Sequence, residues 1–237
     1  MVCKIADFYI EITNNGQVFH RLCRDYICDN PPYIDFSITV TADDVAYEKS
    51  LAKKYTNDDF GDGICATTAA YRKICAEVLQ RDAFLMHGCL IEYKNKGYLF
   101  TANSGTGKTT HVMQWKKAFG EESVKIINGD KPIIRFIDGK VYAYGTPWNG
   151  KEHYGTNGKV ELSAIAFLKR SPTNSACKIS LENALPLIFS QIMITDSADL
   201  ARQMELVNTL GEKVSMYEVN CNISAEAAEI AYREMNK

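Results

Sequence analysis

Ala102-Asn103-Ser104-Gly105-Thr106-Gly107-Lys108-Thr109 is the stretch that decides how this chain is read. It follows the apolar run Tyr98-Leu99-Phe100, and an apolar stripe at helical spacing, Val112, Trp115 and Phe119, begins directly after it. Strand, glycine loop, Lys-Thr and helix is the context of a phosphate-binding P-loop. Phosphate is dense in negative charge. It needs inward-pointing backbone N–H groups, no Cβ in the way, and the positive end of a helix behind it. Gly105 and Gly107 permit that close approach. Lys108 is placed to bridge the outer phosphates, and Thr109 to offer a hydroxyl to Mg²⁺. The expected nucleotide contacts are therefore Ser104, Gly105, Thr106, Gly107, Lys108, Thr109 and Thr110. The strict pattern begins with Gly where this chain has Ala102, which is still a small residue. The plain alternative is a glycine-rich turn before an ordinary helix.

The 237 residues suit one large domain or a core with a small extension. Formal net charge is −2, so no global basic field recommends a nucleic-acid partner. No apolar stretch approaches the roughly 18 residues of a membrane span. The opening Met1-Val2-Cys3-Lys4-Ile5-Ala6-Asp7 breaks its apolar run too early for a signal peptide, and a cytoplasmic location is expected. The eight cysteines include no C-x-x-C, and Cys23 and Cys28 near His20 lack a second ligand pair at zinc spacing. They read as reduced, small apolar residues.

Residues 2–12 read as a strand ending at Asn14-Asn15-Gly16, with Gln17 to Leu22 returning as its hairpin partner. Ile34, Phe36, Ile38 and Val40 alternate with polar residues and predict a half-buried strand. Residues 43–55 are polar and fit a short helix or a loop; the turn-rich 56–63 marks a boundary. This gives a β-rich extension over 1–60 and a P-loop domain over 61–237. Ala70, Ile74 and Val78 predict a helix over 64–80. Met86 to Tyr93 and the strand before the P-loop are joined by Lys94-Asn95-Lys96-Gly97, which predicts an antiparallel pair. After the P-loop helix come a strand at 124–128 and a hairpin over 133–144 turning at Asp138-Gly139. A glycine-rich loop over 145–158 follows, then a strand at 164–168. Helices are expected near 184–194, with Pro186 in its first turn, and near 197–210. A strand at 214–219 and a helix at 224–235 capped by Ser224 close the chain.

Three neighbourhoods in this order carry a resemblance: Leu85-Met86-His87-Gly88-Cys89-Leu90-Ile91, the P-loop, and Ile126-Ile127-Asn128-Gly129-Asp130-Lys131-Pro132. Together they resemble the HPr kinase/phosphorylase family, whose relatives include lasso-peptide precursor kinases and free-serine kinases. Its P-loop domain is similar to the nucleotide-binding core of PEP carboxykinase. The resemblance covers about residues 82–170. It implies a mixed, largely antiparallel α/β sheet around the P-loop, with ATP and Mg²⁺ as cofactors and a hydroxyl as phosphoryl acceptor. Carried over, Lys108 and Thr109 hold phosphates and Mg²⁺, His87 lies in the active site, and Asp130 matches the second Asp of an Asp-Asp pair. Gly129 stands where the family has its first Asp, usually assigned as the base. Asp130 then serves as base, as metal ligand, or as both, with His87 and Glu152 as substitute bases.

Gly145 to Tyr154 is the candidate acceptor site. Trp148 offers a stacking face, Asn149 two-way hydrogen bonding, Lys151 a cation, and Glu152 a carboxylate. Arg135 and Arg170 are further candidate phosphate clamps. The leading expectation is a Mg-ATP-dependent kinase acting on a serine of a peptide or protein, or on a small metabolite. The alternative is a non-catalytic nucleotide-binding regulatory or assembly protein.

Overall fold

The computed structural model describes residues 1–13, 16–55, 58–193 and 196–237. It forms two compact units, Met1–Arg81 and Asp82–Lys237.

In the first unit, β1 (Val2–Ile5) and β2 (Phe8–Thr13) form an antiparallel hairpin, and β3 (Phe36–Thr39) adds parallel to β2. The expected single strand over 2–12 is thus two strands. Ala6 and Asp7 turn the chain between them at φ 52° and 61°, a tight turn that carries no Asn-Gly signal. The expected return strand is a helix, α1 (Gly16–Leu22), which buries Phe19; the expected turn at Asn14-Asn15 lies outside the described residues. β3 buries Phe36 and Ile38 and exposes Ser37 and Thr39, as its alternation requires. The polar stretch after it is a helix, α2 (Ala42–Tyr55), opened by a reciprocal cap: Asp44 N donates to Thr41 Oγ1, and Thr41 N to Asp44 Oδ2. The following helix, α3 (Asp62–Leu79), packs on α1, α2 and β3. Those contacts place it in the first unit, whereas the sequence reading set the division at 60/61.

The second unit contains β4 (Ala83–Leu85), β5 (Cys89–Tyr93), β6 (Lys96–Thr101), α4 (Lys108–Phe119), β7 (Val124–Asn128), β8 (Ile133–Ile137) and β9 (Lys140–Tyr144). They are followed by β10 (Lys159–Arg170), β11 (Ser175–Ile179), α5 (Leu181–Phe189), α6 (Leu200–Lys213), β12 (Ser215–Cys221) and α7 (Ala225–Met235). Strand order is β4-β8-β9-β10-β6-β5-β7, with β12 also beside β10 and β11 beside β12. The fold is mixed α/β, and antiparallel pairs outnumber parallel ones among the described residues. β5 and β6 form the expected antiparallel hairpin. The parallel members are β6, β10 and β12.

β10 holds the sheet together. One edge pairs with β6 throughout its middle; the other pairs with β9 at residues 159–161 and with β12 at residues 164–170. Its central run Ala164–Leu168 is buried, as a strand covered on both faces must be. α4 and α7 cover one face. There Trp115, fully buried, packs against Tyr93, Tyr98, Phe100, Phe119 and Tyr232. Such ring pairs add directional attraction to the burial of apolar area.

Two helix ends differ from expectation. α5 starts one turn early because the Ser180 side chain caps it through Asn183 N, so Pro186 lies inside the helix. The amide that Pro186 lacks is the one that would have bonded Glu182 O. Ser224 stands at the N-cap of α7, but its hydroxyl donates to Asn222 Oδ1 and accepts from Asn174 Nδ2.

Candidate functional site

The glycine loop joins the end of β6 to α4. Gly105 and Gly107 take φ 77° and 114°, which any side chain would strain. The first backbone bond of α4 runs from His111 N to Gly107 O, so the amides of its first turn are the orphan donors of a helix N-terminus. Arg170, at the end of β10, donates Nε to Thr106 O (3.0 Å) and Nη2 to Gly105 O. It therefore braces the loop from its carbonyl side and is not a free phosphate clamp. Arg135 lies within β8, in register with Ala83 and Tyr142, and does not end a strand.

Lys108 is buried, with Nζ donating to Ala102 O at 2.9 Å. Burial lowers its pKa, and the charge of Asp130 works in the opposite direction. The Cys89 thiol, buried beneath these groups, is pushed up to about 12 by desolvation; Lys108 pulls it down while Asp130 and Glu152 push it further. Lys108, Asp130 and Glu152 thus share one electrostatic neighbourhood.

Asp130 is held by an arrangement that starts at Asn128, the last residue of β7. Asn128 is fully buried, and its Oδ1 accepts from the amides of Asp130 (2.9 Å) and Lys131 (2.6 Å). Its Nδ2 donates to Thr146 O and Oγ1, and Thr146 Oγ1 donates to Lys131 O. The Asp130 carboxylate meets His87 Nε2 at 3.1 Å through Oδ1 and Lys131 Nζ through Oδ2. Burial acts to raise its pKa. The hydrogen bonds from His87 and Lys131 outweigh burial and bring the carboxyl down to about 2.

His87 is tied on its other side as well. Gln191, just past α5, is buried; its Nε2 donates to Asn103 Oδ1 and Ser190 Oγ, which leaves Oε1 for His87 Nδ1 at 3.0 Å. His87 thus lies between an amide oxygen at Nδ1 and a carboxylate at Nε2, and the two contacts fix the plane of its ring. The chain Asn103–Gln191–His87–Asp130–Lys131 runs from the glycine loop to the acid.

Gly129 has a steric reason. A Cβ there would lie 2.6 Å from Asn149 O and 3.1 Å from Tyr154 O. The loop over 145–158 folds directly onto it: Gly129 N donates to Tyr154 O, and Thr156 N to Ile127 O. No first Asp fits unless this loop moves. Within the loop, Asn149 packs its amide on Gly155, Trp148 is half-buried, and Lys151 and Glu152 are exposed. Gly150 lies between Asp130 and Glu152: a Cβ there would be 3.3 Å from Asp130 Cβ and 3.6 Å from Glu152 Oε2. Asp130 and Glu152 thus both lie beside Gly150.

Sequence reasoning missed Asn128, Thr146 and Gln191. Asn128 before Gly129-Asp130 carried a usable signal, since Asn at a strand end bonds amides two and three residues on. Gln191 carried none. Among the described residues no three His, Cys, Asp or Glu side chains converge as a metal cage, and no helix is long and apolar enough to cross a membrane. A cavity of about 480 Å³ flanks the loop, lined by Asn103, Ser104, Phe167, Leu187 and Gln191 among others.

No family model matches the chain, and no curated protein matches it. Among solved structures it is similar to the Hpr(Ser) kinase/phosphatase from Coxiella burnetii, at 10% identity over 62% of this chain and 90% of that one, with a TM-score of 0.35. The relationship is structural and distant.

Proposed function

We propose that the second unit is a Mg-ATP-dependent kinase that transfers a phosphoryl group to a hydroxyl. The observation that carries this reading is a glycine loop at a helix N-terminus whose buried lysine shares a field with a His-clamped aspartate. The amides of 105–110 and the Lys108 ammonium bind and orient the phosphates. The Thr109 hydroxyl and the Asp130 carboxylate are hard oxygen donors that suit Mg²⁺, which when bound neutralises charge on the transferred group. Asp130 accepts the proton of the acceptor hydroxyl. His87, 3.1 Å from Asp130 Oδ1 through Nε2, orients the carboxylate. The loop over 145–158 faces the acceptor, with Gly150 against Asp130 and Glu152 also beside Gly150. The acceptor is a serine of a peptide or protein, or a small metabolite.

A transfer screen with labelled ATP tests this directly, offering serine, short sugars, peptides and a small carrier protein. Label on one hydroxyl class is the expected result. ATP bound with no transfer to any acceptor would make the protein a non-catalytic nucleotide binder.

Gln191→Ala removes the acceptor at His87 Nδ1. An intramolecular hydrogen bond contributes about 0.5–1.5 kcal/mol, so kcat is expected to fall about two- to tenfold with KM for Mg-ATP unchanged. Gln191→Glu keeps an acceptor there and restores most of the rate. Steady-state kinetics on the three proteins check this.

A further inference from the structure

A second cavity, about 590 Å³, opens beside the first turn of α4 at the carboxyl ends of β10 and β12. Its walls include Thr110, His111, Pro172, Cys221 and Ile223. Carboxyl ends of neighbouring parallel strands form the crevice where open α/β sheets take their ligands. The volume is that of a small-molecule site, and the lining is mostly apolar.

The two cavities adjoin at Thr106 and Arg170 and differ in what else they border. The cavity of about 480 Å³ includes Gln191, which is bonded to His87, so it belongs to the transferring end. The larger cavity borders Gly107 and Thr110 and contains none of His87, Asp130 or Gln191. A polyphosphate on the loop, with its outer phosphate at Lys108 and Asp130, leaves along the α4 turn toward Thr110. What is attached to the inner phosphate arrives at this cavity.

The walls are fixed in place. Ser171 N donates to Cys221 O at 3.1 Å, and Asn222 Nδ2 donates to Pro172 O at 3.2 Å. Asn222 N donates to Asn174 Oδ1 at 2.9 Å. A preorganised wall loses little ordering entropy on binding. Ile223, on the rim, is 79% exposed, an unusual place for a large apolar side chain with no neighbour to cover it. In the floor, the buried His111 accepts from Trp115 Nε1 at Nε2, which leaves its proton on Nδ1, and that N–H has no partner among the described residues. A buried donor without an acceptor calls for a reason.

We infer that this cavity holds the nucleoside of the nucleotide, its base lying flat against Ile223 and Pro172. The inference rests on the reading of the glycine loop as a phosphate cradle. It makes the site selective for nucleotides over inorganic polyphosphates through apolar contact.

Calorimetric titration with Mg²⁺-ATP and with Mg²⁺-tripolyphosphate tests it, on the wild type and on Ile223→Ser, an exposed change that leaves the core intact. The wild type is expected to bind ATP at least tenfold tighter than tripolyphosphate. Ile223→Ser should weaken ATP roughly five- to tenfold and leave tripolyphosphate unchanged, since only apolar contact area is lost. Equal wild-type affinities overturn the nucleoside cavity and leave the phosphate cradle standing, as does an Ile223→Ser protein that binds ATP normally or weakens both ligands alike. Binding of neither ligand to the wild type overturns the cradle and the cavity together.

Discussion

Asp130→Asn is expected to lower phosphoryl transfer by about 10²- to 10⁴-fold, the range that a positioned acid or base contributes. Affinity for ATP should stay within a few-fold. The reason is the geometry of one carboxylate. The amides of Asp130 and Lys131 are fixed by the buried Asn128, so an amide side chain at 130 occupies the same place. It accepts no proton, and it loses the charge that pairs with His87 and Lys131. In the proposed reading nucleotide binding rests on the glycine loop and Lys108, which this substitution leaves intact. Single-turnover transfer and equilibrium ATP binding, measured on one preparation, separate the two. Unchanged transfer would remove Asp130 from the chemistry and pass the base to Glu152, which lies across Gly150 from it.

Lys108→Ala should fail in both measurements. Its ammonium is buried, and burial lowers its pKa while Asp130 counters that shift. A cation in such a site acts on phosphate oxygens at reduced dielectric and is already in position when charge develops. Removing one preorganised donor of this kind costs about 10²- to 10³-fold in rate. ATP affinity should fall alongside it by at least tenfold. Far-UV circular dichroism and thermal unfolding on the same protein confirm that the fold is retained. Full ATP affinity in the alanine variant would show that the loop does not hold phosphate.

The parts of this unit with a local cause were legible in the sequence. The β5–β6 and β8–β9 hairpins followed from Lys94-Asn95 and Asp138-Gly139, which take the positive φ their turns require. The strand–loop–helix context followed from the spacing of apolar residues around Gly105 and Gly107. The β1–β2 hairpin was missed because Ala6-Asp7 spells no turn, although both residues adopt left-handed φ. α1 was misread as a strand because seven residues are too few to separate a period of 3.6 from one of two. β11 was missed because an edge strand with exposed Ser175, Cys177 and Lys178 shows no apolar face. At the candidate site, His87 and Asp130 could be named from sequence order. Their clamps could not, since Gln191 is 104 residues from His87 and Thr146 is 18 from Asn128. Nor did the sequence explain Gly129, whose cause is the backbone of a loop that folds back onto it some twenty residues later.

The doubly shared strand β10 also sets how the glycine loop moves. Its central residues 164–167 lie between β6 and β12, while 159–161 pair with β9, so exchanging the central amides with solvent requires separating strands on both sides. Such amides exchange only through the largest opening a domain undergoes. Arg170, at the end of this strand, grips Gly105 and Thr106. Deuterium uptake over 164–170 should therefore be among the slowest in the chain. The glycine loop is thus braced from a strand that opens only when partners on both sides separate, and loosening it without disturbing the sheet requires the loss of the two Arg170 bonds.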